Sequence, residues 1–254
     1  NRMMDREYIK RAFKSYTDAY DSSDPKVKLK IDHTYRVADL ADKIARSIGL
    51  DEEDVDLAWL LGILHDIGRF EQLSRYHTFN DRRSVDHAKL SADLLHEGLG
   101  DIFVPKDVDY NLVEKAVRLH NVLELPKDLT KREKMFCDIL RDADKIDILR
   151  VNCETPREQI YDLPPERFAN DQVSDLVMQD ILSKRSVNRQ NAKTAVDPIV
   201  GQISFIFGLV YPWSVEEMKR QGYLDQMLHF ESQNEKTRAD FAQIQEIVNN
   251  FEVK

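Results

Sequence analysis

Four of the seven histidines in this 254-residue chain fall at or near the ends of separate predicted helices: His33, His65, His87 and His120. Asp66 directly follows His65, and Gly68, two residues later, is expected to end the helix that carries them. Adjacent residues on a helix point about 100° apart, so this pair can share one target only where the helix ends. There, a carboxylate can bridge two cations while the imidazole binds one of them. Both groups are ligands of first-row transition metals, so the pattern predicts a metal site.

Helical periodicity explains how these residues could be positioned. Apolar residues recur at three- and four-residue spacing through five segments of the first 150 residues: 37–48, 55–65, 85–95, 112–117 and 135–146. Asp24-Pro25 is typical of a helix start, and Thr130 with Glu133 forms a capping-box pattern. No segment alternates between apolar and polar residues as a half-buried strand does, and only eight glycines and eight prolines occur. We therefore predict an all-α fold.

The second part of the chain is predicted to be a helical extension. Residues 155–170 hold three prolines and indicate a linker with short helical turns. Four further helices are predicted at 171–185, 196–211, 214–229 and 232–252. We expect a metal-binding helical core over residues 25–150, with residues 151–254 packed on it and shaping its pocket.

Composition excludes several classes of protein. The formal net charge of −9 and the pI of about 5.3 argue against a broad basic face for duplex nucleic acid. Two cysteines cannot form a disulfide scaffold and fit a reducing compartment. The charged first ten residues do not resemble a signal peptide, and Asp197, Pro198 and Gln202 interrupt the longest apolar stretch. We expect a cytoplasmic protein without a membrane span, and the sequence leaves its oligomeric state open.

The motifs resemble those of the HD domain, a superfamily of metal-dependent phosphohydrolases named for its His-Asp pair. The resemblance rests on the segments His33-Thr34-Tyr35-Arg36-Val37-Ala38 and Leu61-Gly62-Ile63-Leu64-His65-Asp66-Ile67-Gly68-Arg69, together with Ala143-Asp144-Lys145. It covers roughly residues 25–150 and implies an HD-domain helical bundle. It also selects Asp144 rather than Asp142 as the distal metal ligand.

The order His-Asp-Ile-Gly-Arg resembles the HD-GYP branch, the cyclic dinucleotide phosphodiesterases. His87 and His120 fall where that branch has additional metal-binding histidines. The sequence departs from it at His120-Asn121, where the branch has His-His-Glu, and it has no Gly-Tyr-Pro motif. Arg69 and Phe70 replace the Glu-Asp pair of guanosine tetraphosphate hydrolases, and single-metal deoxynucleotidases also carry Glu at the first of these positions.

The resemblance implies a site for two divalent transition metal ions, with Mn, Fe, Zn or Ni as the candidates. Asp66 would bridge the two ions. The implied ligands are His33, His65 and Asp144 at one ion, and His87 and His120 at the other. We therefore expect a phosphohydrolase that uses a metal-activated water on a small phosphorylated metabolite, such as a nucleotide.

Cationic residues near these motifs are candidates for binding phosphate. Four arginines, including Arg69 and Arg82, lie between residues 69 and 83, where only two acids occur. Guanidinium groups suit phosphate oxygens, although a solvated loop would explain the same composition. The candidate catalytic residues are Asp66, Arg69 and Lys145, and the candidate substrate-binding residues are Arg36, Arg69, His77 and Arg82.

Two other functions stay open. Some HD-domain proteins with six protein ligands hold a di-iron site and act as oxygenases on small organic substrates, and the ligand types here are compatible with that chemistry. A regulatory domain without catalysis is the other alternative, although a degenerate site usually lacks some of its ligands.

Overall fold

A computed structural model describes residues 4–253, apart from the side chain of Glu158, and within that range the chain forms helices and no strands. This confirms the predicted all-α fold. The helices are α1 Arg6–Asp18, α2 Pro25–Ser47, α3 Glu52–Leu64, α4 Gly68–Tyr76, α5 His87–Leu94, α6 Gly100–Phe103, α7 Tyr110–Arg118, α8 Lys131–Glu154, α9 Arg157–Tyr161, α10 Pro165–Asn170, α11 Asp175–Leu182, α12 Asp197–Ile203, α13 Pro212–Arg220, α14 Tyr223–Leu228 and α15 Glu235–Asn249.

The chain divides into two compact units. The first extends to Asp144 and the second begins at Lys145, so the division falls inside α8. The boundary predicted at residue 150 lies in the same helix. The packing of the second unit on the first stays a prediction.

Helix starts in the first unit follow the sequence signals. The Asp24 carboxylate accepts the backbone N–H of Lys26 and caps α2, with Pro25 as the first helical residue. Thr130 and Glu133 exchange side-chain and backbone hydrogen bonds, which is the predicted capping box at the start of α8. Because α2 begins at Pro25, His33 lies in the interior of this helix and not, as the sequence predicts, at its start.

Helices α2 and α3 cross at very short range because α3 carries a glycine at the contact. A Cβ atom on Gly62 would lie 2.4 Å from the Cα of Ala38 and 2.6 Å from its backbone nitrogen. Ala38 is fully buried, and only a glycine fits against its backbone. The crossing brings the interior of α2 close to the C-terminal end of α3, where His65 is the C-cap residue.

Gly68 has a different role from the one predicted. We expected it to end α3, but α3 ends at Leu64 and Gly68 is the first residue of α4. Its Cβ would lie 2.7 Å from the backbone nitrogen of Ser91 and 2.8 Å from the Ser91 hydroxyl oxygen. Gly68 is therefore required where α4 packs on α5. Its N–H donates to the Ser91 hydroxyl.

Helix α1 holds the turn between α3 and α4 in place. The Tyr16 hydroxyl donates to the carbonyl of Ile67, the residue after Asp66, at 3.2 Å. The Tyr20 hydroxyl donates to the Glu71 carboxylate on α4 at 2.6 Å. Phe70 lies in the same aromatic cluster, with its ring centroid 6.2 Å from that of Tyr16. These contacts fix the segment that carries the His-Asp pair.

The second unit differs from the sequence prediction at helix boundaries. The helix predicted at 214–229 is two helices, α13 and α14, because Gly222 has a positive φ of 87° and breaks the run. The helix predicted at 196–211 is α12 followed by a 3₁₀ turn. Asp197 is the first residue of α12, and its buried carboxylate accepts four hydrogen bonds, from Ser174, Lys193 and Thr194. Among the described residues, no helix combines the length and the apolar character needed to cross a membrane.

We expect Gly62→Ala to lower the free energy of unfolding by about 1–3 kcal/mol, because the added Cβ meets backbone and not a flexible side chain. The matched control is Gly201→Ala in α12, where the nearest atom to an added Cβ is 3.9 Å away. That control should leave stability unchanged or raise it by up to about 1 kcal/mol. Thermal and urea unfolding would measure both. Equal stability of the two variants would contradict the close crossing.

Candidate metal centre

The six predicted metal ligands come from five places in the first unit and converge there. His33 lies on α2, His65 and Asp66 in the turn after α3, His87 at the first position of α5, His120 just after α7, and Asp144 on α8. Each of the six residues is at most 8% exposed. The structure thus brings together side chains up to 111 positions apart in the chain.

In one half of the centre, His33, His65 and Asp144 lie close to one oxygen of Asp66. The Nε2 atom of His33 lies 3.1 Å from Asp144 Oδ1 and 3.4 Å from Asp66 Oδ2. The Nε2 atom of His65 lies 3.3 Å from Asp144 Oδ1 and 3.4 Å from Asp66 Oδ2. Two imidazoles and two carboxylates therefore face a common point.

The other half uses the second oxygen of Asp66. Asp66 Oδ1 lies 3.5 Å from His87 Nε2 and 3.4 Å from His120 Nε2. The two Nε2 atoms are 3.1 Å apart. Each Asp66 oxygen therefore faces a different pair of histidines, and its bridging of two ions stays a prediction.

Hydrogen bonds at Nδ1 orient the rings of His65, His87 and His120. His65 Nδ1 lies 2.6 Å from the carbonyl of Gly62, and His120 Nδ1 lies 2.7 Å from the carbonyl of Val117. His87 Nδ1 lies 2.6 Å from the carboxylate of Asp81. Each of these acceptors requires a proton on Nδ1, so Nε2 is the nitrogen that each ring presents to the centre and the one that would bind a metal ion.

The cluster has the properties expected of a site that holds a cation. His87 and His120 point Nε2 atoms at one another at 3.1 Å, and two lone pairs in that position repel unless a cation lies between them. Among the described residues, buried His65 Nε2 and Asp66 Oδ1 have no hydrogen-bond partner. Buried polar atoms are normally paired, so these two indicate ligand positions. The residues present can hold a metal ion.

The carboxylates control the charge of the centre. Burial alone would raise the pKa of Asp66 and of Asp144, yet nearby His65 holds both well below their usual range, with Lys30 also acting on Asp66. Burial opposes charge on His65, but the two carboxylates outweigh it and raise the pKa of His65 to about 9. By contrast, burial and the charge of Arg69 lower the pKa of His87 to about 4. Ionised carboxylates at this depth attract a cation.

Three residues that the sequence analysis did not select support the centre. Lys30 Nζ lies 3.2 Å from Asp66 Oδ2. The sequence could have indicated this residue, because Lys30 precedes His33 by three positions and so lies on the same face of α2. Asp81 binds His87 Nδ1 from the loop after α4. Buried Arg141 donates to four backbone carbonyls between Leu119 and Leu123, which fixes the segment around His120. Arg141 is three positions before Asp144 in α8, but no sequence pattern identifies its acceptors.

The structure places the predicted cationic residues in several environments. Arg69 is mostly buried, and its Nη1 donates to Asp81 and to two further acceptors. Arg36 lies on α2 and is half-buried, whereas Arg82 is exposed in a short 3₁₀ turn. His77 is exposed at the C-terminal end of α4 with a positive φ of 58°. Lys145 belongs to the second unit, where its Nζ lies 3.5 Å from the carbonyl of Gly208.

A comparison with family models identifies a known domain in the first part of the chain. The model of the HD domain matches residues 31–152, a range that contains all six clustered ligands. This part of the chain is an HD domain. HD domains generally occur in metal-dependent phosphohydrolases, and the match does not single out the HD-GYP branch. No curated protein and no solved structure matches the chain.

We expect Asp66→Ala to lower the metal content of the HD domain sharply and to abolish turnover, because both oxygens of this carboxylate face histidine nitrogens. The matched control is Asp39→Ala, an exposed position on α2. Elemental analysis of protein purified without chelator measures metal content, and circular dichroism checks that both variants fold. An Asp66→Ala protein with wild-type metal content would contradict the bridging position.

Proposed function

We propose that this HD-domain protein is a metal-dependent phosphohydrolase that cleaves a phosphoester of a small phosphorylated metabolite, with nucleotides as the first class to test. The single observation that carries the proposal is the placement of Asp66 between two pairs of histidines, with a lysine ammonium 3.2 Å from the same carboxylate. Phosphoryl transfer requires concentrated positive charge around the reacting phosphate, and this arrangement can supply it.

Two divalent ions bound in the centre would polarise phosphoryl oxygens and lower the pKa of a bound water towards neutrality. The protein's own part is to fix the ligands. Asp66 divides its oxygens between the halves, and Asp144 adds a second carboxylate to the half of His33 and His65. We propose Mn, Fe, Zn or Ni as the metals, since imidazole and carboxylate ligands suit all four.

Lys30 is the cation with the best position to contact a phosphoryl oxygen. Its Nζ lies beside Asp66, its side chain is 14% exposed, and it lies 5.3 Å from the ring centroid of Phe79. The ammonium is therefore at the centre, on a side chain that is partly exposed to solvent. Removing one preorganised donor of this kind typically costs about 10²–10³-fold in turnover.

The other cationic candidates are assigned outer roles. We propose that Arg36 and Arg82, with His77, contact the remainder of the substrate, and that Lys145 assists through its neighbour Asp144. The sequence predicts Arg69 as a phosphate contact because this residue closely follows the His-Asp pair. Its side chain already donates to Asp81, so we propose any phosphate contact by Arg69 as secondary to that of Lys30.

A di-iron oxygenase acting on a small organic substrate is the second candidate function. The observation that favours it is that Arg69 already donates to protein acceptors. Fewer cations are therefore left to bind a phosphate than the sequence predicts. Four imidazoles and two carboxylates also suit iron.

Substrate screening distinguishes the two functions. Metal-loaded protein is incubated with a panel of nucleoside mono-, di- and triphosphates and sugar phosphates, and released phosphate is measured. Asp66→Ala protein prepared in parallel excludes a contaminating phosphatase. We expect phosphate release that a chelator abolishes and Mn²⁺ restores. Bound iron with oxygen consumption, and no phosphate release across the panel, would favour the oxygenase.

We expect Lys30→Met to lower kcat by about 10²-fold while metal content is maintained or increases, because the variant loses a cation and not a ligand. Lys30→Arg should recover part of the rate. The control is Lys28→Met, whose exposed side chain pairs with Asp32 at 2.7 Å and should leave turnover unchanged. Steady-state kinetics with elemental analysis measure these effects. Wild-type kcat in Lys30→Met would contradict the assignment.

A further inference from the structure

Arg69 is anchored to the loop between α4 and α5. Its Nη1 lies 2.7 Å from the carbonyl of Phe79, 2.8 Å from Gln72 Oε1 and 3.0 Å from Asp81 Oδ1. Its side chain is 14% exposed and its guanidinium lies 5.5 Å from the ring centroid of Phe79. A guanidinium with these acceptors stabilises one conformation of the loop and the position of the Asp81 carboxylate.

The carboxylate of Asp81 receives four hydrogen bonds. Oδ1 accepts from Arg69 and from Gln72 Nε2 at 2.9 Å. Oδ2 accepts from His87 Nδ1 at 2.6 Å and from the His87 backbone N–H at 3.3 Å. Both oxygens are therefore saturated, and Asp81 connects Arg69 to the ring of His87.

His87 differs from two other histidines of the centre in its Nδ1 partner. His65 and His120 each use a neutral carbonyl three residues earlier in the chain. His87 uses a carboxylate from outside its own helix. A carboxylate at the outer nitrogen fixes the tautomer and makes the inner nitrogen a stronger metal ligand than a carbonyl does. The half of the centre built by His87 and His120 is thus chemically distinct from the half built by His33 and His65.

We propose that Asp81 is a positioning residue that sets the metal affinity of the half containing His87 and His120, and that Arg69 acts through Asp81. This relay of Arg69, Asp81 and His87 deepens the proposed function, since it concerns the same centre, but it holds for either candidate reaction. It gives Arg69 an effect on metal binding without any contact to substrate.

The test is titration of metal-free protein with Mn²⁺ in the absence of substrate, following free Mn²⁺ by electron paramagnetic resonance. We expect Asp81→Asn to weaken one binding step by about 10–100-fold and to leave the other unchanged. Arg69→Met should weaken the same step by a smaller factor. The matched controls are Arg83→Met, exposed in the same turn as Asp81, and Asp128→Asn, exposed between α7 and α8, and both should bind as wild type.

A double variant assigns the affected step. In a His120→Ala background the second half is already incomplete, so Asp81→Asn should produce no further loss. The relay is overturned if Asp81→Asn and Arg69→Met bind Mn²⁺ as wild type, or if both steps weaken equally. It is also overturned for Arg69 if Arg69→Met lowers turnover with Mn²⁺ binding intact, which is the signature of a phosphate contact. Because the titration contains no substrate, failure of the phosphoester panel refutes the proposed reaction without affecting this result.

Discussion

Asp66 is 2% exposed, and the groups packed around its carboxylate balance its negative charge and hold its pKa well below the usual range. An isolated buried carboxylate is strongly unfavourable, so a protein can keep one only if cations or hydrogen-bond donors surround it. Here four imidazoles and the ammonium of Lys30 lie within 3.5 Å of its two oxygens. These groups come from α2, α5 and the ends of α3 and α7, so the need to compensate one charge connects most of the unit.

Close helix packing makes this compensation possible. Gly62 permits the crossing of α2 and α3 that brings His33 to His65, and Gly68 permits the contact of α4 with α5 that brings His87 to Asp66. A Cβ at Gly62 or Gly68 would lie 2.4 or 2.7 Å from backbone atoms of the neighbouring helix, so the helices and the ligands they carry would have to move apart. The metal chemistry of the site therefore depends on two positions that carry no functional group.

Ionic side chains support two of the candidate ligands that lie at helix ends and not in a helix interior. His120 lies beyond the end of α7, and the guanidinium of Arg141 binds the carbonyls of that segment. His87 is the first residue of α5, and Asp81 orients its ring from the preceding loop. In both cases an ionic side chain replaces the support that a helix gives His33. Such supporting groups are typically worth about 10–100-fold in metal affinity.

The all-α class and the helices that carry the clustered histidines were predictable from the sequence, because helical periodicity and caps depend on residues a few positions apart. The set of six candidate metal ligands was implied by the resemblance to the HD domain, which also selected Asp144 over Asp142. The sequence did not show the roles of Lys30, Asp81 and Arg141, or the reason for Gly68. Each depends on contacts set by helix crossings, and the partners of Lys30 and Asp66 are 36 positions apart. It also did not show that Gly222 splits one predicted helix into α13 and α14, because a single glycine inside a helical pattern does not by itself end a helix. Tertiary structure decided which oxygen of Asp66 faces which histidines, because that choice depends on the orientation of one turn between two packed helices.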